Sequence, residues 1–204
     1  MPAMSRLERA FRRSPVWRAF TGRVVLPWAL QGVRLDGEVL EIGSGSGAMA
    51  ARILERFPGA RLTASDYDES IVAVARDALA RFGNRARVGR ADASALPLPD
   101  ESFDAVVSFI MLHHVVEWEK AIGEAVRVLR PGGVLVGYDL LSTPPAHWLH
   151  AAERARHRLM EFEELRAVLE RQPVEPALRR ARGGWAVRFF VRKMPAAVPD
   201  GLTA

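Results

Sequence analysis

The stretch EVLEIGSGSGAMA, residues 38–50, decides how the rest of the chain is read. Four residues of strand character, Val39-Leu40-Glu41-Ile42, run into glycines at 43, 45 and 47 and then into a helix-forming sequence. Glycines at such a junction permit positive φ and let a ligand approach the backbone closely. The helix beyond offers unpaired N–H groups and a partial positive charge, which suit a carboxylate or a phosphate. Gly43, Gly45 and Ala48 also satisfy a dinucleotide fingerprint, so the loop alone leaves the ligand open. Glu41, a carboxylate inside an apolar strand, is the residue that distinguishes the candidates.

Outward from this stretch, strand and helix patterns alternate. Residues 46–57 read as a helix with Met49, Ile53 and Phe57 on one face, stopped by Pro58-Gly59. ARLTASD (60–66) is a second strand. Residues 69–82 form a helix whose apolar face is Ile71, Val74, Ala75, Ala78, Leu79 and Phe82. ARVGRAD (86–92) and FDAVVSFIML (103–112) are the third and fourth strands, the latter apolar enough to be central. WEKAIGEAVRVL (118–129) is a helix closed by Arg130-Pro131-Gly132-Gly133, and GVLVGYDL (133–140) is a fifth strand. Residues 147–171 read as mostly helix, and residues 174–193 as two strands around Gly183-Gly184, a hairpin signal. The expectation is an α/β fold: one Rossmann-like, doubly wound, mostly parallel seven-stranded sheet ending in a hairpin. Ahead of it, residues 1–35 read as an N-terminal helical lid, with Pro15 opening a helix and Pro27 kinking or ending it. The domain itself is read as 36–193 and the flexible tail as 194–204.

Composition bounds the function. Of 204 residues, 49% are hydrophobic and 26% charged, which suits one soluble domain with a sizeable core. No apolar run is long enough to span a membrane. The basic segment MPAMSRLERAFRRS has no apolar stretch behind it, so no secretory signal is expected. The absence of cysteine excludes disulfides, thiolate catalysis and cysteine zinc sites, and fits a cytoplasmic setting. Charge is uneven: residues 1–34 carry seven Arg against one Glu, residues 35–150 eleven Lys/Arg against sixteen Asp/Glu, and residues 151–193 eleven against six. Basic ends attract nucleic acid or anionic lipid, but no RNA-binding motif accompanies them, and a solvated helix face explains them more simply.

Two acids narrow the ligand. Asp66 ends the second strand 19 residues after Gly47, close to the ~20-residue spacing of an acid that binds ribose hydroxyls. Asp68 is available to cap the following helix instead. Glu41 would be costly beside a dinucleotide, which has no cation at this turn. A ligand with both a ribose and an amino-acid end resolves the pair, and S-adenosylmethionine has both.

VLEIGSGSG, ASDYDES, RADASALPLPDESFDAVVSFIMLHHV and VLRPGGVLVGYDL resemble the successive motifs of class I S-adenosylmethionine-dependent methyltransferases. The small-molecule group called methyltransferase type 11, or UbiE-like, is the most similar. The resemblance covers roughly residues 36–141. The ending also matches, since that family inserts its last strand antiparallel. The resemblance implies S-adenosylmethionine as cofactor and S-adenosylhomocysteine as product. It places the amino-acid end beside Glu41, Gly43, Ser44, Gly45 and Gly47, the ribose on Asp66, and Tyr67 near the adenine. It places the adenine amino group at Asp92, with an N–H from Ala93, and the methionine end by Ser108.

An activated methyl group needs mainly alignment, and a base only where the acceptor must lose a proton. His113 is the candidate base; a structural histidine is the competing assignment. Tyr138 and Asp139 border the expected acceptor site over the carboxyl ends of the fourth and fifth strands. Trp17, Phe20, Trp148 and the 142–150 segment, with His147 and His150, are expected to roof it. No metal site is expected, because adjacent histidines cannot share a helix face and no carboxylate spacing accompanies them. The expected acceptor is a small, hydrophobic or lipid-like molecule, with transient lipid contact and Trp28 at the interface. Nucleic acid is not the expected partner, and the oligomeric state is open. The rival readings are a nicotinamide-dependent oxidoreductase, which Glu41 and the terminal hairpin oppose, and a non-catalytic cofactor-binding or RNA-associated protein.

Overall fold

A computed structural model describes residues 21–30, 32–144, 146–147 and 157–195. Trp17, Phe20, Trp148, His150, most of the expected lid and the last nine residues lie outside the described residues. The strands are β1 (Gly37–Ile42), β2 (Ala60–Asp66), β3 (Ala86–Arg90), β4 (Phe103–Phe109), β5 (Leu129–Leu140), β6 (Val174–Arg180) and β7 (Ala186–Lys193). The helices are α1 (Leu26–Leu30), α2 (Ala48–Arg56), α3 (Glu69–Leu79), α4 (Trp118–Val128) and α5 (Phe162–Glu170). The sheet runs β3-β2-β1-β4-β5-β7-β6. β1 pairs in parallel with β2 and β4, β2 with β3, and β4 with β5; β7 is antiparallel to both β5 and β6. The order reverses between β1 and β4, which opens a crevice at their carboxyl ends, the place where such sheets take ligands.

Alternation along each strand divides the core into two layers. Leu40 and Ile42 of β1, Val106 of β4 and Phe189 of β7 pack with Trp118 and Ile122 of α4 and Leu165 and Leu169 of α5. Val39, Ala105, Val107 and Val136 face the other way, against Leu26 and Leu30 of α1, Ile53 and Leu54 of α2 and Leu79 of α3. Each fully buried Val, Leu or Ile side chain among these contributes on the order of 1.5–3 kcal/mol. β7 follows the same rule: Val187, Phe189 and Val191 face the first layer, as their alternation with Arg188, Phe190 and Arg192 predicts.

Several local readings shift. The buried stripe of α3 is Val72, Ala75 and Leu79; Ala78 is exposed and Ile71 only half-buried. In α2 it is Ala50, Ala51, Ile53 and Leu54, with Met49 and Phe57 at its margin. β4 stops at Phe109 because Ile110 turns to φ +50°, a costly conformation for a β-branched residue. β5 starts at Leu129 rather than Gly133: Leu129 pairs with Phe103, and the ladder breaks before resuming at Val134 and Ala105. Pro27 does not end the helix: it sits where a π-helical turn at Thr21–Val25 passes directly into α1, a change of helical pitch next to a residue that cannot donate. Residues 157–161, expected to be helical, are not; Met160 forms an isolated bridge to Leu141 at the end of β5. No helix among the described residues is long and apolar enough to cross a membrane.

Candidate functional site

The sheet order brings the carboxyl ends of β3, β2, β1 and β4 side by side, and with them the residues singled out in the sequence. Gly43, Gly45 and Gly47 all have left-handed φ, at +68°, +54° and +76°. Their surroundings separate their roles. A β-carbon on Gly43 would meet the side chain of Met111, and one on Gly47 would touch Ala75 and Leu79 of α3. Nothing lies within 4 Å of a β-carbon built on Gly45. Gly45 therefore keeps a face on which a ligand can approach the main chain. Gly47 is the N-cap of α2 and gives it no side-chain cap; of the opening amides of that helix, that of Ala50 is directed to Glu41.

Asp66 ties this loop to the second strand. Its carboxylate accepts from Gly45 N at 2.9 Å and from Asp68 N at 3.1 Å. Its main-chain carbonyl accepts from Ala91 N, next to Asp92, at 2.9 Å. Asp68 caps α3 by accepting from Ser70 N at 2.9 Å, so the capping role falls to it and not to Asp66. Ser44 N donates to Ser65 O at 2.9 Å, and Ser65 Oγ donates to Glu41 O at 3.1 Å.

Glu41 lies on the sheet face that carries α2 and is 2% exposed. Burial pushes its carboxyl up to about 8; the Ala50 amide opposes the shift and the charge of Asp66 adds to it. Its Oε2 has no hydrogen-bond partner, and neither has Ser44 Oγ nor Ser108 Oγ. Buried polar atoms without partners are rare in folded proteins. Here Glu41 Oε2 and Ser44 Oγ lie at the carboxyl end of β1, while Ser108, at the end of β4, is paired with Ile42 and so faces the other side of the sheet from Glu41. A ligand with an ammonium and a carboxylate would suit Glu41 and Ser44.

The expected adenine contacts are further out. Tyr67 is exposed, with the Arg90 guanidinium 5.3 Å from its ring centroid. Asp92 is exposed too, and its Oδ1 accepts from Ser94 N at 2.9 Å and Ser94 Oγ at 2.6 Å, the geometry of a turn residue. Ala93 follows, half-buried against the core. Asp92 keeps its other carboxylate oxygen for a donor.

On the acceptor side, His113 and Asp139 form a wholly buried pair, with Nδ1 2.5 Å from Asp139 Oδ1. Asp139 also accepts from Met111 N at 3.0 Å and Leu112 N at 2.7 Å through Oδ2, and from Leu140 N at 2.6 Å through Oδ1. The carboxylate thus holds the whole turn that follows Ile110. Beside it, Tyr138 packs edge-on against Trp28 at 5.1 Å and tilted against Phe109 at 5.9 Å. Arg188 of β7 donates to the Trp28 carbonyl at 2.8 Å and stacks 4.9 Å from its ring centroid, fixing α1 over β5. His147 meets Ser142 Oγ through Nε2 at 3.0 Å, away from the buried pair.

Sequence reasoning missed Met111 and Phe109, for which nothing in the sequence is diagnostic. It also missed Asp139 as an organiser of the turn, though a carboxylate inside the apolar run VGYDL is the same kind of signal as Glu41 in VLEIG.

Comparison with known proteins gives the family and the fold. A methyltransferase-domain family model matches residues 40–137. The chain is 40% identical over 107 residues to a demethylmenaquinone methyltransferase of Thermus thermophilus, covering 52% of this chain and 47% of that protein. It is 36% identical over 121 residues to the ubiquinone/menaquinone biosynthesis C-methyltransferase UbiE of Ectopseudomonas oleovorans, covering 58% of this chain and 68% of that one. The chain spans about half the length of several of the curated relatives it matches. Among solved structures, a protein of Pyrococcus horikoshii superposes with a TM-score of 0.75 at 17% identity, covering 94% of this chain and all of that one. The 4+2 cyclase SpnF superposes with a TM-score of 0.74 at 20% identity, covering 88% of this chain and 83% of that one. These likenesses carry the fold; the identities above carry the family. The chain belongs to the class I S-adenosylmethionine-dependent methyltransferases, in their UbiE-like group.

Proposed function

We propose that this protein methylates a small apolar molecule, with S-adenosylmethionine as the methyl donor. The observation that carries the reading is the pair of buried, unpartnered polar atoms on Glu41 and Ser44 beside the open face of Gly45. In this reading Glu41 and Ser44 hold the amino-acid end, the amides of Ala48 and Met49 at the start of α2 serve its carboxylate, and Ser108 borders the methionine end from the other side of the sheet edge. Asp66 takes the ribose hydroxyls, and its charge disfavours a 2′-phosphate. Tyr67, Asp92 and Ala93 border the adenine. When bound, the cofactor supplies a methyl group already activated on a sulfonium, so the chain has mainly to orient the acceptor and keep water out. Phe109, Tyr138 and Trp28 suit an apolar or aromatic acceptor over the ends of β4 and β5. His113 sets the shape of the turn between the two sites through Asp139, and its complete burial favours that positioning role over the role of base. The names of the relatives make a quinone-like ring one acceptor to try. A reducing cytoplasm is the setting we propose, on the absence of cysteine.

The SpnF likeness is a reminder that one fold hosts several chemistries. The deciding experiment supplies S-adenosylmethionine with a deuterated methyl group and an organic extract of cells, and follows the label by mass spectrometry. Label in an apolar product supports the reading. Cofactor binding with no labelled product in any fraction would contradict it.

A further inference from the structure

The β6–β7 hairpin turns at the carboxyl edge of the sheet, because Ala186 is paired with Leu140 at the end of β5 and Leu141 N donates to Trp185 O at 2.9 Å. Its tip therefore stands at the same edge as the site described above. Trp185, in that tip, lies against the Gly183 turn and is still 45% exposed, an unusual position for an indole. Arg179, Arg180 and Arg182 surround the turn in sequence and are all exposed. Between Val174 and Lys193 the chain holds six cations and one carboxylate, Glu175.

The other cations of the hairpin are occupied. Arg188 is held by Trp28, Arg192 donates to Gly132 O, and Lys193 donates to Leu129 O and Arg127 O. Arg180 stacks on Phe162 at 4.2 Å while its charge stays at the surface. Arg179 and Arg182 have no carboxylate within ion-pair distance among the described residues. An exposed indole next to cations that lack counter-charges matches the interfacial layer of a bilayer: the ring enters the headgroup region and the guanidinium groups meet anionic headgroups. A single aromatic with no second stacking face is a poor platform for successive nucleic-acid bases.

We propose that the tip of this hairpin docks the protein on an anionic lipid surface, through Trp185 and the arginines at 179, 180 and 182. A docked tip would bring the acceptor edge of the sheet to the apolar phase. The docking does not itself require methyl transfer, and the two readings fail separately: vesicle binding is measured without cofactor, and cofactor binding without vesicles.

The test is sedimentation of the full chain with phosphatidylcholine vesicles, alone or mixed equally with phosphatidylglycerol, at low and high salt. Brominated lipid serves as a quencher of tryptophan fluorescence. The wild-type protein is expected to sediment with the anionic vesicles, to be released by salt, and to be quenched. Each arginine at an anionic surface contributes roughly fivefold, so Arg179→Gln/Arg182→Gln should weaken binding about twenty-five-fold. Trp185→Phe should remove most of the quenching, and Trp185→Ser should weaken binding severalfold. Thermal melts of each variant check that the fold is intact. No sedimentation with anionic vesicles would overturn the proposal. So would binding unchanged in all the variants, or binding to a single-stranded RNA oligonucleotide with none to vesicles.

Discussion

The side chain of Met111 lies directly over the α-carbon of Gly43, so closely that a β-carbon there would come within 1.8 Å of its Cγ. This contact joins the turn after β4 to the first glycine of the cofactor loop. Gly43→Ala faces two obstacles, the left-handed φ of +68° and the overlap with Met111. Gly45→Ala faces only the first within the protein, a cost of roughly 1–2 kcal/mol. Denaturation should find Gly43→Ala the less stable of the two, and Met111→Ala should partly restore it. Calorimetry should find that both single variants bind S-adenosylmethionine poorly. Equal stability of the two variants would remove the Met111 contact from the account.

Asp139 should tolerate substitution badly. It accepts from three main-chain amides and from His113, and an asparagine cannot reproduce four acceptances. Asp139→Asn is expected to cost about 1–3 kcal/mol for each buried main-chain amide left without an acceptor. His113→Asn retains an N–H for Asp139. Turnover within about tenfold of wild type is expected for that variant; a loss of 10²–10⁴-fold would make His113 a general base.

Stability of the ligand-free protein should fall as pH rises. Glu41 has an ordinary value of 4.5 and is pushed to about 8 by burial. Between those values the folded state holds a proton that the unfolded state has released, so this group's contribution declines across pH 4.5–8 and is level above. The slope approaches about 1.4 kcal/mol per pH unit inside the window. Glu41→Gln should remove that part of the slope, read as the difference between wild type and variant in denaturant titrations at pH 5, 7 and 9. A difference that does not change with pH would contradict it. Calorimetry in buffers of different ionisation enthalpy should also detect proton release when S-adenosylmethionine binds, lost in Glu41→Gln.

The aromatic wall should affect the acceptor and not the cofactor. Trp28→Ala removes the ring contact with Tyr138 and the stacking of Arg188. Once an acceptor is in hand, its KM should rise while the dissociation constant of S-adenosylmethionine stays within about twofold, given that ring and cation contacts each contribute roughly 0.5–1.5 kcal/mol. Truncation from the N-terminus has to stop before Leu26, because Leu26, Ala29 and Leu30 belong to the core.

Much of this was legible in the sequence where a physical rule is local. The loop glycines, Asp68 as a cap, the Gly183-Gly184 turn and the alternation in β7 each follow from backbone geometry or side-chain period. Relations that only folding creates were not legible. Nothing in the sequence sets Met111 against Gly43, stops β4 at Ile110, or pairs His113 with Asp139 across 26 residues. The α3 stripe was misjudged because apolar residues spread round more of that helix than the sheet covers. Residues 157–161 gave up helical propensity for the bridge between Leu141 and Met160, a tertiary contact that local pattern cannot show.

Titration calorimetry of the ligand-free protein with S-adenosylmethionine, S-adenosylhomocysteine and NAD tests the central claim most directly. The account predicts that the first two bind and NAD does not bind comparably. Asp66→Ala should weaken both by roughly ten- to a hundredfold, since a carboxylate accepting two hydroxyls contributes about 1.5–3 kcal/mol. Tight NAD binding with no response to S-adenosylmethionine would contradict the account.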